Sequence, residues 1–295
     1  MISICIPVYH FDVEPLVSIL IAQIESSNSM IEICIVDDGS ADVYRMRNRG
    51  LASMDFVRYE ELTVNVGRSA IRNYLAQKAI YPYLVFLDCD VMVNDSFIIN
   101  YINSLNGVDV LSGGVSYPES TPSDKQLLHW KNGVKREVHS VSQRNIHPYR
   151  SFLSCNFLIS KQLFESIHFN EQITEYGYED VILGIELSNK NVLVEHIDNP
   201  VMHMGIEDTD VFIGKIEKSI CTLSLLPSII DEKWLLHYIK LYRIYNYLPW
   251  VVKSIVGLMF RLFKQMMRWQ LKSKNPSLIV FDCYKLGYLC HQMNR

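Results

Sequence analysis

Tyr83-Leu84-Val85-Phe86-Leu87-Asp88-Cys89-Asp90 is the stretch that decides the fold. Five apolar or aromatic residues run without a polar break and stop at two carboxylates. A strand apolar on both faces belongs in a parallel sheet covered by helices on each side. Open sheets of that kind bind ligands at the carboxyl ends of their strands, where Asp88 and Asp90 fall. Two residues apart in an extended chain, they point the same way. Like charges so placed need a positive partner, and a divalent cation carrying a phosphorylated ligand would be one. A solvated acidic turn is the plainer alternative.

Upstream, Ile2–Val8 reads as a first strand with Pro7 at its end, and Glu14–Glu25 as a helix with Leu16, Ile19, Leu20 and Ile24 on one face. Ile31–Val36 is a second continuous apolar strand, closed by Asp37-Asp38-Gly39-Ser40, and Phe56–Tyr59 is a short third. Asn65-Val66-Gly67 makes a turn into a helix over Arg68–Ala79. This alternation predicts a doubly wound, mostly parallel sheet. Downstream, Asp109–Leu111 reads as a strand. Residues 117–150, punctuated by Pro118, Pro122 and Pro148, read as a long loop or hairpin excursion. Strand character returns at Phe152–Ile159, then at Val192–Ile197 and Val201–Met204, with helices from Lys161 and over Val181–Asn189.

The chain has 295 residues, an apolar fraction of 49% and a net charge of -4, enough for one large α/β domain with an appendage. Its seven cysteines are scattered without a Cys-x-x-Cys pair, which argues against a zinc site or disulfide framework and fits a reducing compartment. The first residues read as a strand and not as a signal peptide. Charge is uneven: residues 231–295 hold 11 Lys and Arg against 3 Asp and Glu, whereas residues 1–230 hold 17 against 29.

Several residues suit chemistry. Asp38, at the end of the second strand, could accept hydrogen bonds from a ribose or a base, or could simply cap a turn. Arg68 and Arg72 share a helix face just after a Gly turn, a place suited to an anion unless both are solvated. Glu179-Asp180 opens a helix, and an ionised carboxylate in a cleft can take a proton from a hydroxyl. His203 could ligate a metal or sit half-buried.

In order along the chain, Pro7-Val8-Tyr9, Val36-Asp37-Asp38-Gly39-Ser40, Asn65-Val66-Gly67 through Arg72-Asn73, Asp88-Cys89-Asp90, Asn156 and Gly177-Tyr178-Glu179-Asp180 resemble the family 2 glycosyltransferases of bacterial polysaccharide type. The likeness spans about residues 1–205. It implies the GT-A fold: a doubly wound, mixed but mostly parallel sheet, here with a C-terminal helical basic extension. It implies a nucleotide site formed by Pro7, Tyr9, Asp38, Asn65, Arg68, Arg72 and Asp88, with Asp38 on the base and Asp88 on the ribose. Asp90, Asp88 and His203 would hold Mn²⁺ or Mg²⁺, the Asp-x-Asp arrangement of such enzymes. Asp180 would be the catalytic base with Glu179 beside it, and Asn156, Tyr178 and Glu179 would meet the acceptor. His10 departs from the Asn that often follows Pro-Val-Tyr, and Asn170-Glu171 departs from a frequent Asp-Glu.

The implied activity is metal-dependent, inverting transfer of a sugar, hexosyltransferase-like, from a UDP-linked donor to a glycan or lipid-linked saccharide in cell-surface polysaccharide synthesis. Residues 1–230 would be the catalytic domain, with a nucleotide-sugar half to about 115 and an acceptor half beyond. Two alternatives stand beside it. One is a catalytically inactive sugar-nucleotide-binding scaffold, against which the intact acids argue. The other is a sugar-phosphate nucleotidyltransferase, which would want a Gly-rich cationic loop where Val8-Tyr9-His10-Phe11-Asp12 stands.

From Lys233 to Phe281 there are 49 residues without an acid and nine Lys or Arg. Lys253, Arg261, Lys264, Arg268 and Lys272 fall in a helical arc of roughly 100°. That basic face, with aromatics at its border, predicts docking of residues 233–274 on an anionic membrane. A peripheral enzyme on the cytoplasmic face of the cell membrane is therefore expected. Packing on protein is the alternative, and no nucleic-acid motif accompanies the charge.

Overall fold

The computed structural model describes residues 1–293. Along the chain lie β1 (Ile2–Val8), α1 (Glu14–Ser26), β2 (Ile31–Asp37), α2 (Asp42–Asn48), β3 (Val57–Glu61), α3 (Arg68–Lys78), β4 (Tyr83–Leu87), β5 (Val91–Met92), α4 (Phe97–Ser104), β6 (Val110–Ser112) and β7 (Val115–Ser116). They are followed by α5 (Leu127–Arg136), α6 (Val141–Ile146), β8 (Asn156–Ser160), α7 (Lys161–Ile167), α8 (Glu179–Asn189), β9 (Val194–His196) and β10 (Val201–His203). The chain closes with α9 (Thr209–Leu225), α10 (Glu232–Tyr238), α11 (Lys240–Tyr247), α12 (Trp250–Leu271) and α13 (Leu278–Met293).

Two compact units divide these elements. Residues 1–117, 138–174 and 179–205 form the first; residues 118–137, 175–178 and 206–295, of which the last two lie outside the described residues, form the second. The division thus groups α9 with the helices after residue 231, whereas the sequence suggested a boundary at 230.

In the first unit a seven-stranded sheet runs β3-β2-β1-β4-β8-β6-β9. The pairings are parallel from β3 to β4 and between β6 and β9, and antiparallel where β8 meets β4 and β6. It is the expected mixed, mostly parallel sheet. Successive residues of β4 alternate between two cores: Val85 and Leu87 pack with α1 and α4, while Leu84 and Phe86 pack with α3, α7 and α8. That is why the run is apolar throughout. A three-stranded sheet, β5-β10-β7, stands beyond the end of β4.

The expected loop at 117–150 instead contains α5 and α6. The buried side of α5 includes His129, Asn132 and Gly133 beside Leu127 and Leu128, and those polar and small residues between Pro122 and Pro148 read as loop. The signal for α6 was present: Ser140 and Gln143 form a reciprocal capping box.

In the second unit α5, α9, α12 and α13 share a core of Leu128, Phe212, Ile213, Phe260, Leu271, Phe281 and Tyr284. A Cβ on Gly287 would lie 2.7 Å from the Phe260 ring, so α13 approaches α12 closely. The basic arc of α12 faces acids. Lys264 reaches Glu217 at 2.8 Å, Arg268 reaches Asp210 at 3.0 Å, and Lys272 reaches Asp210 at 2.7 Å. Lys253 lies 4.1 Å from the centre of the Tyr245 ring. The arc read as a free basic face is therefore largely engaged within the unit. Among the described residues no helix is long and apolar enough to cross a membrane.

Candidate active site

The site is built in the first unit from the turn after β2, the start of α3, the end of β4, and the start of α8. Gly39 takes φ +74°, and a Cβ there would sit 2.7 Å from the Asn65 backbone nitrogen. That close approach brings the turn after β2 against residues 65–67. Asp38 fastens it. Its two oxygens accept the Val66 N–H at 2.7 Å and the Gly67 N–H at 3.2 Å, and the Asn65 side chain donates to its carbonyl at 3.1 Å. Asp38 is buried, and burial raises its carboxyl while those two N–H bonds oppose the rise. The expected base-contacting carboxylate is thus a brace for the loop that launches α3. Gly67 (φ +91°) is the N-cap of that helix.

Arg68 and Arg72 lie one turn apart on α3 and are not merely solvated. Arg72 is buried and reaches Asp88 at 2.5 Å, donates to the Arg68 carbonyl at 3.1 Å, and lies 5.4 Å from the centre of the Phe169 ring. Burial alone would raise the Asp88 carboxyl; Arg72 and Arg68 overcome it and hold the group below its ordinary range. Arg68 donates to Glu179 at 3.0 Å. Two acid–arginine pairs therefore run side by side, bringing β4, α3 and α8 together.

Asp180 follows Glu179 in the first turn of α8. The backbone just before it is forced: Gly177 has φ +103° and Tyr178 has φ +69°. Half-buried, Asp180 has its carboxyl pushed up to about 7, first by burial and then by the negative charge of Glu179. Arg68 and two backbone N–H groups act against the shift without cancelling it.

Asp90 lies beyond β4, 3.8 Å from Nδ1 of His203 on β10. Gly205 holds this corner tight: a Cβ there would meet an Asp90 carboxylate oxygen at 2.4 Å, and the Met204 N–H donates to the Asp90 carbonyl at 2.8 Å. Two donors on one octahedral ion at about 2.0–2.1 Å stand roughly 3–4 Å apart, and Mg²⁺ typically takes one or two carboxylates and completes its shell with water and phosphate. The Asp90–His203 pair fits such an ion. The expected three-residue set is not assembled, because Asp88 is held by Arg72; among the described residues no group of three His, Cys, Asp or Glu is suited to a metal. Tyr117 packs edge-on against His203, with ring centres 5.3 Å apart, a neighbour the sequence did not announce.

Pro7 lies within β1, opposite Val36. Tyr9 is exposed and stacks on His10 at 3.9 Å, and His10 stacks on Tyr44 at 5.3 Å. The His10 ring is fixed because its Nδ1 accepts the Ala41 N–H at 3.2 Å. Tyr44 was missed: it lies on α2, just past the Asp-Asp-Gly-Ser turn. Asn156, expected at the acceptor, is fully buried. It accepts from the Tyr101 hydroxyl at 2.6 Å and donates to the carbonyls of Gly114 and Asn199 at 3.0 and 2.8 Å. It braces the sheet and has no face to offer a ligand.

The family model for glycosyl transferase family 2 matches residues 3–167, more than half of the chain. The chain belongs to that family. Solved structures of low identity share its fold. Residues 1–349 of TarS from S. aureus superpose with a TM-score of 0.50 at 15% identity, covering 100% of this chain and 92% of that one. The mannosyltransferase PcManGT from Pyrobaculum calidifontis, in complex with GDP-Man and Mn²⁺, superposes with a TM-score of 0.58 at 11% identity, covering 99% and 86%. No curated protein matches the chain. A family 2 glycosyltransferase transfers sugar, and the GT-A sheet is the one described above.

Proposed function

We propose that the chain moves a hexose from a UDP-linked sugar to a hydroxyl of a glycan or lipid-linked saccharide, with inversion, in cell-surface polysaccharide synthesis at the cytoplasmic face of the membrane. The observation that carries this is Asp180, a half-buried carboxylate whose pKa is pushed to about 7. A general base works best when its pKa lies near the working pH. Burial and Glu179 tune Asp180 to that task, while Arg68 holds Glu179 in place.

Arg68, exposed at the start of α3, is the group that can exchange its Glu179 contact for a diphosphate oxygen. Arg72, buried against Asp88, fixes the direction of that carboxylate toward a ribose. Tyr9 offers an exposed ring face for a base. Asp90 and His203 would hold Mn²⁺ or Mg²⁺, which supplies neutralisation of charge on the leaving diphosphate. That a divalent ion accompanies the donor is in keeping with PcManGT, which was solved in complex with GDP-Man and Mn²⁺. Asp180 takes the proton of the acceptor hydroxyl as that oxygen attacks the anomeric carbon, with Glu179 and Tyr178 beside the acceptor.

A nucleotidyltransferase is disfavoured by the stacked Tyr9 and His10, which stand where a cationic Gly-rich loop would be needed. The test is a screen of nucleotide-sugars for hydrolysis, with calorimetry of nucleoside diphosphate in Mn²⁺ and in chelator. Release of sugar from one donor, and weak binding in chelator, are expected. Failure of every nucleoside diphosphate to bind would overturn the proposal, and binding without any turnover on any donor or acceptor would favour the scaffold.

A further inference from the structure

With its basic arc engaged by Asp210 and Glu217, α12 presents something else outward. Val251, Ile255, Leu258, Leu262, Met266 and Trp269 recur at steps of four, three, four, four and three residues, which aligns them on one helix face. They are between 46% and 75% exposed. The buried residues of the helix, Gly257, Phe260 and Leu271, lie on the other side, against α13 and α9. A stripe of that length on a 22-residue helix, about 33 Å long, is a contiguous exposed apolar face of the kind that marks an interaction or membrane surface.

We propose that this apolar face, and not the basic arc, is the surface that enters the membrane: α12 lies along the bilayer interface with the stripe in the boundary between headgroups and acyl chains. The proposal sharpens the membrane localisation proposed above and rests on it. Two features choose lipid over a second copy of the chain. Trp269, 75% exposed, closes the stripe near the C-terminal end of the helix, and its amphipathic ring suits the headgroup level. α12 itself carries no acid, and its Arg261 is exposed, so a second copy against the same face would meet charge of its own sign, whereas anionic headgroups meet the opposite one. The apolar face makes the contact, and exposed cations such as Arg261 bias it toward anionic lipid.

The test uses the full chain with vesicles of zwitterionic lipid alone and vesicles containing anionic phosphatidylglycerol. Co-sedimentation with both is expected, tighter on the anionic ones, and largely retained at high salt. Leu258→Ser with Leu262→Ser should weaken binding by about tenfold or more. Because both side chains are exposed, its circular dichroism and melting should match the parent. Independently of any fold change, brominated lipid should quench the parent's tryptophan emission, and less so in Trp269→Phe. Four results would overturn the proposal: no binding to either vesicle, undiminished binding by the double variant, binding abolished by salt alone, or a dimer in lipid-free sedimentation equilibrium that the double variant dissolves. Nucleoside diphosphate calorimetry on the parent separates the two readings. Vesicle binding without nucleotide binding removes the transferase proposal and leaves the docking surface standing; the converse removes the docking surface with the membrane localisation and leaves sugar transfer standing.

Discussion

The acid–arginine site of the first unit and the outer face of α12 in the second are opposite solutions to the same physical demand. In the site, charged groups are satisfied by one another: Arg72 by Asp88, Arg68 by Glu179, Asp38 by two backbone N–H groups. On α12, large apolar side chains face outward while Lys264 and Arg268 of the same helix are paired with Asp210 and Glu217. The first region is costly to disturb and selective in what it admits. The second is cheap to disturb in the isolated chain, and its outward residues do nothing for folding. Substitutions should therefore separate the two regions sharply.

The largest effect is expected at Asp180. Asp180→Asn keeps shape and removes the base, so turnover should fall by about 10²–10⁴-fold with donor affinity little changed. Asp90→Asn should do the reverse, weakening nucleoside diphosphate binding and its metal dependence. Steady-state kinetics beside calorimetry read both. Full transfer by Asp180→Asn would move the base role to Glu179.

Next is Arg72. Removing one member of a buried ion pair strands the other and costs about 3–5 kcal/mol. Arg72→Met keeps contact with the Phe169 ring but leaves Asp88 without its partner. Denaturant unfolding should show a loss on that scale. A loss near zero would mean that solvent satisfies Asp88, as in the plainer acidic-turn alternative.

Much of this frame was legible in sequence. Largely apolar runs place β1, β2 and β4, because parallel strands bury both faces, and carboxylates mark the ends of β2 and β4. The ordered motifs brought Asp38, Arg68, Arg72, Asp88, Glu179 and Asp180 to one region. What they did not carry is how those groups divide among themselves. Nothing local says that Asp88 turns to Arg72 or that Asp38 spends both oxygens on the next loop; those are contacts across 16 and 28 positions. Asn156 misled for a similar reason, since a buried amide braced by Tyr101 looks in sequence like any polar residue in a strand. On α12 two arcs, one basic and one apolar, were equally entitled to face outward. The choice lay with another helix, in which Asp210 and Glu217 stand seven residues apart and so on one face.

A smaller effect sharpens the electrostatics of the site. Asp180 acts when ionised, and its pKa is held near 7 by burial first and by Glu179 second. The rate should fall as pH drops through about 7. Glu179→Gln removes the negative neighbour and frees Arg68, and both changes favour the ionised form. The acid limb of the kcat/KM profile should therefore shift to lower pH without returning to the range of a free carboxylate, because burial remains. An unmoved limb would show that the titrating group is not Asp180.

The smallest effect is expected where the exposed side chains are largest. Leu262, at 67% exposure, is solvated on the outer face of α12, so Leu262→Ser forfeits little burial. Surface substitutions of this kind stay within about 0.5 kcal/mol, even though the same change in a core would cost several. Serine's lower helix propensity subtracts a few tenths of a kcal/mol. Unfolding midpoints of parent and variant should nearly coincide, while the solubility limit of the variant should rise because the apolar stripe is broken. A loss above about 2 kcal/mol, the scale of a truncated buried leucine, would mean that Leu262 is buried in the lipid-free protein, against α13 or a second copy. The contrast between a self-satisfied site and an outward apolar face would then fail on the α12 side.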